Sequence, residues 1–272
     1  MKRLRTTVLL TAMLGLSIQC RPVLHREPPR QQDKSRPLFS KIGPVIEGEI
    51  EEDNFPGAVV LVGQRDAILY WKAFGHQVIE PAPELTGKET IFDLASLTKP
   101  IVTATSILIL RDRGMIDMDD CVGAYLPAFA CNGKQDVRIK HLLTHTSGLP
   151  AYTNANALKE QFGNPCPDKV IEKICSLEAA SQPGEDFRYS CLGYITLARI
   201  VETVSGKSLD DFSRRNIFAP LGITHTTFNP PDSWQDSIAA AEITDGRPLR
   251  GTVHDPLAQL MAGVSGNAGL FS

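Results

Sequence analysis

Ser96-Leu97-Thr98-Lys99 follows the run Thr90-Ile91-Phe92-Asp93-Leu94-Ala95 and leads into an apolar, helix-forming stretch from Ile101 to Leu110. With Ser96 in the first turn of that helix, Lys99 falls three residues on, over the same face. The lysine amine then approaches the serine hydroxyl and takes its proton, provided that nearby cations or desolvation lower the amine's pKa. The helix N-terminus adds free N–H groups and the positive end of a dipole, both suited to a developing oxyanion. Such an arrangement arms a serine without a histidine. The four residues alone decide little, because ordinary Ser and Lys frequencies give roughly one S-x-x-K per chain of this size. A solvated, helix-capping serine has the same pattern.

The surroundings decide. Downstream stand Arg138-Ile139-Lys140-His141-Leu142-Leu143-Thr144-His145-Thr146-Ser147-Gly148-Leu149-Pro150, then Pro183-Gly184 with Phe187-Arg188-Tyr189-Ser190. Pro220-Leu221-Gly222-Ile223 with Thr226-Thr227-Phe228 follows, and then Ala262-Gly263 with Gly266-Asn267-Ala268-Gly269-Leu270-Phe271-Ser272. In this order and spacing, from about Phe39 onward, the chain resembles the serine β-lactamase-like family: class C β-lactamases, D-Ala-D-Ala carboxypeptidases and related esterases. The resemblance implies an α+β fold of the β-lactamase/transpeptidase type, with an antiparallel sheet flanked by helices and a helical subdomain. It also implies Ser96 as nucleophile, with Lys99 and Tyr189 handling its proton. Tyr189-Ser190-Cys191 occupies the family's Tyr-x-Asn position, so Cys191 stands where a substrate-binding Asn is usual. A thiol is a poor donor, which weighs against β-lactam and peptide hydrolysis more than against ester hydrolysis.

The family's third motif is Lys or His, then Thr or Ser, then Gly, on a C-terminal strand. There it binds the substrate carboxylate and supplies half of the oxyanion hole. No such triplet follows Ser190. In relatives the Gly269-Leu270-Phe271-Ser272 block precedes a long further stretch. The expectation is a serine hydrolase domain over 39–272 that is truncated at its C-terminus and lacks its final strands. Glycine-rich Gly263 to Gly269 reads as a loop that does not substitute for them.

Composition agrees with an enzyme of this kind. At 272 residues with 42% hydrophobic residues, the chain buries a substantial core as one large or two interleaved domains. The net charge is −3 and no basic cluster interleaves with aromatics, so nucleic acid is not expected as a partner. Lys2, Arg3 and Arg5 precede a short apolar run from Thr6 to Ile18, which ends at Leu16-Ser17-Ile18-Gln19-Cys20. Residues 1–19 therefore read as an export signal of the lipoprotein type, with Cys20 as the lipid-modified residue. Gln19 is atypical there, and plain secretion or an uncleaved anchor is the alternative. Residues 20–38, rich in Pro and mixed charge, read as a flexible tether. The expected location is the cell envelope or periplasm, with the protein held to the membrane by its lipid.

Five further cysteines, at 121, 131, 166, 175 and 191, leave one thiol unpaired if the others pair within the chain. Cys121–Cys131 and Cys166–Cys175 are conceivable local bridges, and five free thiols are equally compatible with the spacing. Ile42 to Ile50 recur at helical spacing; Ala58 to Val62 and Ala67 to Phe74 read as a hairpin turning at Gln64-Arg65-Asp66. The Ser96 helix should stop near Arg113 with Gly114 as its cap. Further helices are expected over Asp168–Leu177 and Leu192–Val204, and Ser208 with Asp211 should open another. His141 and His145 stand four apart on an expected helix, as zinc ligands do, but without a base between them or a third ligand; no metal or other cofactor is expected. His254-Asp255 hints at a Ser-His-Asp triad, yet no G-x-S-x-G elbow accompanies it, and structural use is the better reading. Trp71 and Trp234 read as packing residues.

These readings converge on a cell-envelope serine hydrolase acting through an acyl-enzyme on an ester, amide or β-lactam carbonyl of a small-molecule or peptidoglycan-like substrate. The rival is a non-catalytic remnant or binding module of the same fold, favoured by Cys191 and the missing third motif.

Overall fold

The computed structural model describes residues 39–244 and 246–272; the export segment, Cys20 and the tether lie outside the described residues. Helix α1 (Ile42–Glu51) packs on the hairpin that follows, and Lys72 of the hairpin reaches Glu47 at 3.1 Å. The β-branched and aromatic residues after Pro56 form strands β1 (Gly57–Gln64) and β2 (Ala67–Val78), antiparallel with Gln64 opposite Ala67. Arg65 makes the turn with a left-handed φ of 54°. A short β3 (Glu84–Leu85) pairs with the far edge of β2, so the sheet runs β1-β2-β3. The hairpin is thereby extended by one short strand. Among the described residues, no strand pairs with the outer edge of β1.

Helix α2 (Thr105–Asp112) ends where Gly114 takes a φ of 68°. It is followed by α3 (Ile139–Leu143), α4 (Ala155–Phe162) and α5 (Pro167–Ser176). Then come α6 (Cys191–Ser205), stopped by left-handed Gly206, and α7 (Leu209–Ser213). Two of these starts are made by serine caps. The Ser190 hydroxyl accepts from Gly193 N–H at 3.3 Å, and the Ser208 hydroxyl accepts from Asp211 N–H at 3.2 Å. A π-helical stretch, Arg214–Phe218, joins α7 to α8 (Ala219–Leu221). The remainder is β4 (Thr227–Phe228), a small hairpin of β5 (Ile243–Thr244) and β6 (Arg247–Pro248), α9 (Pro256–Leu260) and β7 (Leu270–Phe271), which pairs with β4. None of the described helices is long and apolar enough to cross a membrane.

Helix α6 is the centre of the core. Leu192, Ile195, Leu197, Ile200 and Val201 are wholly buried, and the helix packs against α2, α3, α5 and α7. A helix apolar on nearly every side is one that the rest of a domain wraps. Its first turn carries Tyr194, so the packing of the core also sets one wall of the cleft described below.

The two conceivable disulfides do not form; all five described cysteines are free. Cys166 caps the start of α5 and Cys175 lies in its last turn. Nine residues of helix separate them by about 14 Å, far beyond disulfide reach. The Cys131 thiol instead contacts the main-chain oxygen of Cys175 at 3.2 Å.

Truncating the centre of α6 measures how far the fold rests on it. Ile195→Ala should lower the unfolding free energy by about 2–5 kcal/mol in urea titration. A cost near zero would show that α6 is not the packing centre.

Candidate active site

Residues 92–99 are held by main-chain and side-chain bonds to a segment far along the chain. Phe92 and Ser272 exchange N–H···O bonds at 2.9 and 3.1 Å, and Leu94 N–H donates to Leu270 O at 2.8 Å. The Thr98 hydroxyl donates to Ala95 O at 2.7 Å and accepts from Leu270 N–H at 3.1 Å. Ala95 has a φ of 47°, a conformation that residues with a Cβ disfavour, and its N–H donates to the Asp93 carboxyl at 2.9 Å. A 3₁₀ turn over Ala95–Leu97 then continues as a π-helical stretch, Lys99–Ala104, into α2. Pro100 sits at the start of that stretch, where its missing N–H leaves no bond unmade.

Ser96 thus lies at the N-terminal end of a long helical run, with Lys99 one turn on. The Lys99 side chain is buried, with 2% of the residue exposed. Its Nζ donates to Ser96 Oγ at 2.9 Å and to the main-chain oxygen of Asn267 at 3.0 Å, and lies 3.5 Å from Cys191 Sγ. It also sits 4.8 Å from the centre of the Tyr189 ring and 5.9 Å from that of Tyr194. Ser96, Lys99, Tyr189 and Tyr194 line an open cleft of about 480 Å³, with Leu97 and His145 on its walls.

His145 holds the tyrosine side of the cleft together. Its Nδ1 accepts from Ser190 N–H at 3.1 Å, which puts the ring proton of the neutral imidazole on Nε2. The ring lies 4.4 Å from that of Tyr189 and 5.1 Å from that of Tyr194. Burial, and then the nearby Lys99 charge, hold its pKa below the ordinary value of 6.5. The Tyr194 hydroxyl donates to Leu143 O at 3.0 Å, and burial pushes its pKa up.

Ser96 and Cys191 are each brought within bonding reach of Lys99 Nζ. Tyr189 is brought to the same cleft, 45% exposed, but it meets Lys99 through its ring face. Among the described residues its hydroxyl has no hydrogen-bond partner. His141 and His145 do not share a helix face, because α3 ends at Leu143 and His145 follows with a φ of 60°. His141 Nδ1 accepts from Arg138 N–H at 3.2 Å. Asp255 caps α9 through Ala258 N–H at 2.8 Å and accepts from the Tyr152 hydroxyl at 3.1 Å, which is structural use. Its neighbour His254 pairs instead with Asp93, Nδ1 to Oδ2, at 2.8 Å.

Gly263 to Gly269 is a loop, as its glycines imply, and a buried one whose Asn267 carbonyl is a partner of Lys99. A Cβ on Gly266 would stand 2.0 Å from Tyr194 O, so glycine lets the loop run against α6. Three residues of the site escaped the sequence: Asp93, Thr98 and Asn267. Asp93, three residues before Ser96 and beside a helix start, carried the one usable signal, as a side chain placed to bond the turn.

Residues 44–272 match the family model described as Beta-lactamase. An N-acetylmuramyl-L-alanine amidase of Bacillus subtilis strain 168 is 34% identical, over 85% of this chain and 59% of that protein. A protein of Escherichia coli strain K12 assigned as a D-alanyl-D-alanine carboxypeptidase is 32% identical, over 99% of this chain and 70% of that protein. Among solved structures, EstCE1, described as a hydrolase with promiscuous acyltransferase activity, superimposes with a TM-score of 0.70 at 25% identity. That superposition covers 86% of this chain and 69% of EstCE1. The chain therefore spans less than two thirds of the amidase's length.

The depressed pKa of His145 makes a testable demand on stability. The unfolded chain takes up a proton near pH 6.5 that the folded chain resists, so stability should be complete above that pH and fall as pH drops below it. In His145→Asn the amide oxygen keeps an acceptor for Ser190 without titrating. Urea midpoints at pH 8 and pH 5 should then differ less for the variant than for the wild type. His141, held low by burial, leaves a residual slope in both.

Proposed function

Because the chain belongs to the β-lactamase family, we propose that it is a serine hydrolase working through an acyl-enzyme on Ser96. The observation that carries this reading is the 2.9 Å approach of buried Lys99 Nζ to Ser96 Oγ. A neutral amine has two N–H donors and one lone pair. In the deprotonated form that attack requires, donors directed to Asn267 O and Cys191 Sγ would leave the lone pair for the serine proton. Ser96 Oγ attacks the carbonyl carbon as its proton passes to Lys99. The leaving group departs with a proton delivered from Lys99, with Tyr189 as the relay. Water then adds to the acyl carbon, gives up a proton to the same base, and expels the serine oxygen, which is reprotonated.

The substrate is an acyl compound of the cell envelope, a small molecule or a peptidoglycan-like peptide. Support comes from the names of the relatives, an N-acetylmuramyl-L-alanine amidase and a D-alanyl-D-alanine carboxypeptidase. Cys191, at the lysine, tilts the choice toward esters, since a thiol polarises an amide carbonyl less well than a carboxamide does. The same substitution favours a second reading, a binding module that has lost turnover.

Two experiments decide. In the intact protein a fluorophosphonate should label Ser96, and Ser96→Ala should abolish labelling. Lys99→Ala should slow acylation by roughly 10²–10⁴, the range of general acid–base catalysis. A wild type that takes no label would favour the binding module. For the anchor, which rests on residues 1–20 alone, expression in a bacterium with labelled fatty acid should give a labelled membrane protein, and Cys20→Ala an unlabelled one. A soluble, unlabelled wild type would remove the lipid while leaving export intact.

A further inference from the structure

We propose that His254 is a positioning residue for the nucleophile, acting through Asp93 on the turn that presents Ser96. This rests on the acyl-enzyme reading and adds to it a fourth residue, 158 positions beyond the serine. Three observations point the same way. Ala95, the residue before Ser96, is held at a φ of 47°, where a Cβ crowds the backbone. Its N–H donates to Asp93 Oδ1 at 2.9 Å. The other oxygen of that carboxyl takes two donors from one residue, His254 N–H at 3.0 Å and His254 Nδ1 at 2.8 Å.

The Asp93 side chain is 4% exposed, while that of His254 is 41% exposed. The imidazole therefore bridges solvent and a buried carboxyl, and fixes that carboxyl from the side opposite Ala95. Facing a carboxyl oxygen, Nδ1 carries the proton, and Nε2 is left toward the outside. With both oxygens engaged, Asp93 cannot rotate away from Ala95 N–H, and the turn cannot relax to an ordinary conformation. Ser96 Oγ is then kept on the lysine. Without the ring donor, Asp93 retains the main-chain bond from His254 and the fold retains its anchor, but the carboxyl regains a rotation. The predicted loss is thus in the placement of Ser96 rather than in folding. A misplacement of about 1 Å at a reacting atom costs up to about 100-fold in rate.

The side chain's geometry supplies the test. In His254→Asn the amide nitrogen occupies the position of Nδ1 and can donate to Asp93. In His254→Gln the nitrogen lies farther out, where Nε2 was, and in His254→Ala there is no donor. Acylation of the intact protein by a fluorophosphonate would be followed as a function of reagent concentration, with thermal melting alongside. His254→Ala and His254→Gln should lower the maximal acylation rate about 10- to 100-fold, with the half-saturating concentration and the melting temperature unchanged. His254→Asn should recover most of the rate. Asp93→Asn, which loses one of its acceptors, should fall with the alanine variant.

Equal maximal rates in wild type and His254→Gln would overturn the proposal and leave the acyl-enzyme reading standing. A rate lost equally in His254→Asn and His254→Gln would overturn it too, since the ring would then matter for its bulk. Should His254→Ala fail to fold, the Asn and Gln pair still decides. A wild type that takes no label at Ser96 would overturn both readings together.

Discussion

A lysine nitrogen withdrawn from water needs partners, because a buried polar group left without them is costly. Lys99 meets that requirement with groups from three places: the turn that carries it, the loop at Asn267 and the start of α6 at Cys191. Much else in the domain can be understood as what keeps those three segments together. The apolar faces of α6 hold its N-terminus in place. Gly266 lets the Asn267 loop lie on the α6 backbone, and Thr103 donates to the Gly266 carbonyl at 2.8 Å. The bonds from residues 270 and 272 to residues 92–98 hold the turn on the same loop.

The aromatic side of the cleft depends on this arrangement in turn. His145, Tyr189 and Tyr194 pack on one another within 4.4–5.1 Å of the histidine ring, and both tyrosine rings face Lys99. Ring faces are where a cation gains from the quadrupole. They also give the cleft an apolar wall, which suits the acyl part of a substrate more than its charged parts. Cys191 lies beside this wall, at the lysine.

What could be read in the sequence was what local chemistry determines. The hairpin, the α6 helix with its Gly206 stop, the Ser208 cap and the one-turn spacing of Ser96 and Lys99 all follow from residues a few positions apart. The misreadings came from contacts that local pattern does not encode. His254 shows only its neighbour Asp255 in sequence, whereas its partner Asp93 lies 161 residues away. His145 was carried along on a helix that stops at Leu143, because nothing in Thr144-His145 announces a left-handed residue. The loop at Gly263 to Gly269 reads as a loop, but its contact with Lys99 is invisible in sequence because it is made by a carbonyl, a group every residue has. Short β3 was missed for a similar reason: two residues are too few to show an alternation.

The long reach of those bonds has a consequence for the order in which the site is assembled. Ser96, Lys99 and the first turns of their helix leave the ribosome some 150 to 170 residues before His254, Asn267, Leu270 and Ser272. Until that later segment arrives, Phe92 and Leu94 lack their strand-like partners, Ala95 has no reason to hold its left-handed turn, and Lys99 lacks its carbonyl. During synthesis the nascent chain carries a serine whose lysine still lacks that partner. Arming is thereby linked to the arrival of that later segment, and not to the folding of the helix that carries Ser96.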